Sequence, residues 1–257
     1  MTNLPKQWHT AADTYKRHGF KGIRQLIRAK INRKPIIDIS DEYINWLCLV
    51  NAGMLHRGNL YCFDYALKHL PTSDPIIEIG SFCGLSINVM TYYKAKYNVE
   101  NRLITCDRWN FEGAITGTMV GQSSVSHAEY RAYAKDTFLR NVKMFSEKDL
   151  PYTIEMFSDE FFQAWAKSQH VSDVFERPIQ LGGNISFCYI DGNHSYEYVK
   201  RDFEHCHQFL VPQGFILFDD SADGSRWHEI NQMVNEVAQS QQYELIIKNP
   251  NYFFRKK

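Results

Sequence analysis

Five short apolar runs constrain this chain more than any other feature. They are "PIIEIGS" (75–81), "RLITCD" (102–107), "YTIEMF" (152–157), "ISFCYID" (185–191) and "GFILFDD" (214–220). Most stop on a glycine or an acid. Helix-forming stretches lie between them, at 85–96, from about 127 to 145, and at 227–239. Near-continuous apolar strands are strands buried on both faces, and strands that alternate with helices imply a mostly parallel sheet covered by helices. "YELIIK" and "YFFRKK" then close the chain as a hairpin around Asn249-Pro250-Asn251, which adds an antiparallel edge. Residues 40–56 and 59–70 predict two helices ahead of the first strand, with Ser40 as the N-cap of the first and Pro71 after the second.

Composition narrows the function. A length of 257 residues with 44% hydrophobic side chains is enough for one well-buried domain. The net charge is +0, so no basic face points to nucleic acid. Residues 1–34 are locally basic, and Ile23, Leu26, Ile27 and Ile31 recur there at helical spacing. That stripe is expected to pack on the body or on a second copy of the chain, making a homo-oligomer through N-terminal helices. No run is long enough to span a bilayer, and the first residues lack the apolar core of a signal peptide. The six cysteines form no C-x-x-C pair and sit mostly in apolar runs. Reduced thiols and a cytoplasmic location are expected.

The first strand runs into "EIGSFCGLS", with Glu78, Gly80, Ser81 and Gly84 ahead of a helix. A glycine turn between strand and helix lets a ligand approach the backbone. The turn lies at the carboxyl end of a parallel strand, where open α/β sheets bind ligands. The second strand ends in Asp107, roughly twenty residues on, where an acid accepts hydrogen bonds from ribose hydroxyls. Glu78-x-Gly80-x-x-x-Gly84 departs from the pyrophosphate fingerprint. It resembles the first motif of class I S-adenosylmethionine-dependent methyltransferases, with Asp107 matching their ribose-binding acid. The resemblance implies a Rossmann-like, doubly wound α/β fold. The resemblance covers roughly residues 60–225; the residues themselves predict an N-terminal helical extension over 1–58, a Rossmann-like domain over 59–257, and an insertion at 110–150 covering the site. The resemblance also implies that Glu78 lies near the sulfonium end of the cofactor, where its charge favours a cation, and that Ser158 and Asp159 contact adenine.

The fourth and fifth strands end in "DGNHSY" and "FDDS". In a parallel sheet both ends lie on the edge that carries the glycine turn, so Asp191, Asp219 and Asp220 are expected to converge beside the cofactor. Three carboxylates share a desolvated edge only with a cation or with protons. Oxygen ligands select Mg²⁺ or another hard divalent cation. Asp-Gly-x-His-x-Tyr followed by Asp-Asp looks like the branch that holds sugar O-methyltransferases and cephalosporin-hydroxylase-like proteins. That likeness implies that Asp191, Asp219 and Asp220 bind Mg²⁺ and that His194 acts as base, with Asp191 also beside the cofactor. The expected activity is metal-assisted methylation of a hydroxyl on a saccharide or small metabolite. Catechol-type chemistry remains open. So does a cofactor-binding assembly protein without catalysis. Tyr196-Glu-Tyr-Val-Lys200 also spells the Tyr-x-x-x-Lys pair of short-chain dehydrogenases, which leaves an oxidoreductase as a further alternative.

Overall fold

The computed structural model describes residues 19–20, 36–111 and 117–257. The apolar stripe of the basic N-terminal segment therefore lies outside the described residues, as does part of the 110–150 segment. The elements run α1 (Glu42–Val50), α2 (Arg57–Lys68), β1 (Ile76–Ile79), α3 (Leu85–Tyr97), β2 (Leu103–Cys106), α4 (His127–Phe145), β3 (Tyr152–Ile154) and α5 (Ser158–Ala166). They continue with β4 (His170–Ser172), β5 (Pro178–Gln180), β6 (Ile185–Ile190), α6 (Tyr196–Phe209), β7 (Leu210–Phe218), α7 (His228–Gln239), β8 (Tyr243–Lys248) and β9 (Tyr252–Lys256).

Seven strands form one sheet in the order β3-β2-β1-β6-β7-β9-β8. β3, β2, β1, β6 and β7 are mutually parallel, and β9 runs antiparallel to both β7 and β8. This is the expected doubly wound α/β architecture with a C-terminal antiparallel pair. The strand order reverses between β1 and β6, and that switch point opens the crevice in which such sheets bind ligands.

Period-two alternation sorts the strand side chains into two cores. Ile77, Ile79, Ile104, Cys188, Ile190, Ile216 and Phe218 pack with Phe161, Phe162, Trp165, Val199 and Val234 of α5, α6 and α7. Ile76, Leu103, Phe187, Tyr189, Phe215 and Leu217 pack with Leu47, Phe63, Leu67, Met90 and Phe138 of α1 to α4. Several boundaries differ from expectation. α1 spans Glu42–Val50 rather than 40–56, and Asp41 rather than Ser40 is its N-cap, its carboxylate accepting from Ile44 N. β7 begins at Leu210 rather than at 214, because Leu210 and Val211 are buried and Leu210 pairs with Ile185. α2 begins at Arg57, where the His56 ring accepts from Gly58 N. β4 and β5 form a small separate hairpin, unforeseen because its residues are mostly exposed and carry no long apolar run. All six cysteines are free thiols. Among the described residues no helix is long and apolar enough to cross a membrane.

Candidate active site

The glycine turn and the end of β6 touch. Gly80 follows β1 at φ +83, and a Cβ built there would lie 2.1 Å from the Asp191 carbonyl oxygen. Only glycine combines that φ with that approach. Gly84, at φ +87, opens α3 beneath α4, where a Cβ would meet Val142 and Phe138 at 3.0 and 3.2 Å. Ile79 and Ile190 are paired in register, so the turns that follow them start side by side.

Asp107 fastens the glycine turn. Its Oδ2 accepts from Ser81 N at 2.8 Å and Phe82 N at 2.9 Å, and its Oδ1 accepts from Trp109 N at 2.6 Å. Desolvation raises its pKa, and these backbone N–H groups oppose the rise. The fully buried Trp109 adds a bond from its indole nitrogen to the Phe82 carbonyl at 2.8 Å. Glu78 is 0% exposed, and one carboxyl oxygen accepts from the Ser86 hydroxyl. Its other oxygen, Oε2, is buried with no hydrogen-bond partner. Burial pushes this carboxyl up to about 8, so at neutral pH it is a protonated acid. The charge expected from the resemblance is therefore not resident on Glu78. A glycine turn with an orphaned acid beneath it fits an adenosine-containing cation.

Ser158 and Asp159 open α5 after β3. The Asp159 carboxylate is engaged by Arg201 at 3.0 Å and His205 at 3.3 Å, both on α6. That arrangement makes Asp159 an ion-pair residue, and it lends no support to the adenine contact expected there. Ser158 lies against Asp202, whose buried carboxyl is pushed up to about 7 by desolvation.

Burial raises the Asp191 pKa, and the three acids lie close enough that the charges of Asp219 and Asp220 both raise it further. Asp219 is 6% exposed. Its Oδ1 accepts from the Asn59 amide at 2.8 Å and from the Asn251 amide, and its Oδ2 accepts from the Tyr189 hydroxyl at 2.8 Å. Asp191 stands on the other side of that hydroxyl, 3.3 Å away, and desolvation with the neighbouring Asp219 charge raises its pKa. Asp220 adopts φ +49 and turns its carboxylate to His194. Among the described residues no group of three histidine, cysteine or acidic side chains is spaced to hold a metal ion. This arrangement lends no support to the ligand set expected of Asp191, Asp219 and Asp220: three protein donors reach Asp219, and the Asp220 carboxylate bonds His194.

His194 lies where the sequence expects it, in the turn after β6. Its Nε2 is 3.0 Å from Asp220 Oδ2, and its ring stacks on Trp227 with centroids 4.0 Å apart. A carboxylate only accepts, so neutral His194 carries its proton on Nε2 and its lone pair on Nδ1. Tyr196 and Lys200 lie together at the start of α6, with the Lys200 ammonium 5.8 Å from the Tyr196 ring centre, but each polar group has an acid beside it. The Tyr196 hydroxyl donates to Glu236 at 2.8 Å, and Lys200 lies 4.0 Å from Glu204. Asn59, Tyr189, Asn251, Trp109 and Trp227 join the site without having been singled out. Tyr189 had a signal, since it sits two residues before Asp191 on the same strand face.

A family model described as "Methyltransferase domain" matches residues 77–221, which is more than half of the chain. No curated protein matches. One solved structure is described as a TDP-rhamnose 3'-O-methyltransferase of calicheamicin biosynthesis. It is 16% identical with a TM-score of 0.52, covering 99% of this chain and 96% of that one. An SAH-bound methyltransferase from Podospora anserina is 13% identical with a TM-score of 0.53, covering 100% and 99%. An O-methyltransferase from Bacillus cereus in complex with SAH is 13% identical with a TM-score of 0.51, covering 85% and 92%. At these identities the likeness is one of fold.

Proposed function

The chain belongs to the methyltransferase-domain family and is an S-adenosylmethionine-dependent methyltransferase, and on that premise we propose that it methylates a hydroxyl oxygen of a saccharide or other small metabolite, with His194 as the base. The observation that carries this reading is the Asp220–His194–Trp227 arrangement beside the glycine turn. S-adenosylmethionine supplies an electrophilic methyl carbon, so that a C–O bond forms as the C–S bond breaks and S-adenosylhomocysteine leaves.

The protein's own residues do the rest. Gly80 lets the turn lie against the Asp191 carbonyl, Gly84 lets α3 start beneath α4, and Asp107 holds Ser81 and Phe82 in that turn. His194 takes the hydroxyl proton, while Asp220 orients the ring and stabilises the imidazolium that results. Trp227 holds the plane of the imidazole. Positioning is the main requirement of an in-line displacement. The side-chain arrangement lends no support to metal assistance, because the acids that would hold Mg²⁺ are committed elsewhere. The saccharide acceptor draws support from the TDP-rhamnose enzyme that shares the fold.

The test is a panel of hydroxyl compounds incubated with methyl-labelled S-adenosylmethionine, with the products resolved by mass spectrometry. Label on a substrate oxygen supports the reading. Label on nitrogen or carbon only, across a panel that offers all three, contradicts it.

A further inference from the structure

The loop from Asp220 to Trp227 connects β7 to α7 and forms one wall beside His194. It is braced internally. The Ser225 hydroxyl donates to the Asp220 carbonyl at 3.0 Å and accepts from Trp227 N at 3.2 Å. The Asn231 amide donates to the Ser221 carbonyl at 2.6 Å and the Ala222 carbonyl at 3.1 Å. The exposed Arg226 places its guanidinium 4.5 Å from the centre of the Trp227 ring, the same ring that stacks on His194.

Among the described residues Arg226 has no counter-charge, and the reason is visible in its neighbours. Asp223, the acid of its own loop, accepts from the Tyr252 hydroxyl at 2.6 Å and pairs with Lys248 at 3.1 Å. Glu229, three residues on, accepts from Tyr196 N at 2.7 Å. Asp220 faces His194. Each nearby acid is committed elsewhere, and Arg226 makes no hydrogen bond or ion pair among the described residues, only its contact with Trp227. A guanidinium set against an indole keeps its five donors in a fixed fork that matches a phosphate or carboxylate.

We propose that Arg226, braced against Trp227, recognises an anionic group on the methyl acceptor, so that the substrate is a hydroxyl compound carrying a phosphate or carboxylate near the hydroxyl presented to His194. This rests on the reading of His194 as the acceptor end of the site. The shared Trp227 ring couples the two functions. It orients the base on one contact and the anion-binding cation on the other, which ties the anion's position to that of the reacting oxygen.

Calorimetry on the SAH-loaded full-length protein tests it, with inorganic pyrophosphate and citrate as probes against wild type, Arg226→Gln and Arg226→Lys. At least one anion is expected to bind saturably, about tenfold or more weakly in Arg226→Gln, with Arg226→Lys between them. Preference for pyrophosphate identifies a phosphorylated acceptor, and preference for citrate a carboxylated one. No binding of either anion to wild type, or equal binding in wild type and Arg226→Gln, overturns the inference. SAH affinity is measured first in the same samples. If wild type fails to bind SAH, the parent reading falls and this one with it. If SAH binds and the anions do not, only this inference falls.

Discussion

Glu78 shows what burial does to one residue. Its carboxyl titrates near pH 8 when folded, against 4.5 as its ordinary value. Between those values the folded state keeps a proton that the unfolded chain releases, so stability falls with rising pH across that window. The contribution is whole below about pH 4.5 and lost above about pH 8. Glu78→Gln keeps a neutral, near-isosteric side chain. It is expected to flatten the decline in urea-unfolding free energy between pH 5 and 8, by on the order of a few kcal/mol. An unchanged slope would mean that Glu78 titrates normally. Asp219 makes the second case. Its two oxygens already accept from Asn59, Asn251 and Tyr189. A ligand that binds only the folded state raises Tm. Millimolar MgCl₂ or EDTA is therefore expected to leave the wild-type melting temperature unchanged, and a rise of several degrees with MgCl₂ would restore the three-acid site. At this scale the sequence was partly legible. Asp107 and His194 lie on strand ends and could be found from spacing. Asn59 and Asn251 could not, because they reach Asp219 from α2 and from the β8–β9 turn, which only tertiary packing brings together.

At the scale of elements, β1, β2, β6 and the 214–218 part of β7 were legible because each is a mostly apolar run buried along its length. β4 and β5 were not, since an exposed three-residue strand has neither the run nor the alternation that marks one. The two turns after β1 and β6 are the elements that make the site, and their contact depends on the absence of a side chain at Gly80. Gly80→Ala would put a Cβ 2.1 Å from the Asp191 carbonyl in a left-handed conformation. It is expected to cost roughly 3 kcal/mol of stability and to abolish SAH binding, read by thermal melting and calorimetry. Near-normal binding in this variant would show that the two turns do not have to touch.

Across the whole molecule, two helical layers clamp a sheet whose order reverses between β1 and β6, and every residue assigned a part in methyl transfer follows a strand's carboxyl end on that edge. The core on the α1-to-α4 side reaches into the site through Tyr189, whose ring packs on Phe63 at 4.9 Å while its hydroxyl bonds Asp219. Packing and chemistry are thus one network, which is why core residues such as Tyr189 escaped a search for functional ones. The central claim is that His194, oriented by Asp220, removes the acceptor proton during methyl transfer. It is tested most directly by single-turnover methylation of an accepted substrate in His194→Ala and Asp220→Asn, with SAH affinity measured alongside. The account predicts a loss of about 10²–10⁴ in rate for His194→Ala, a smaller loss for Asp220→Asn, and unchanged SAH affinity in both. A wild-type rate in His194→Ala would contradict it.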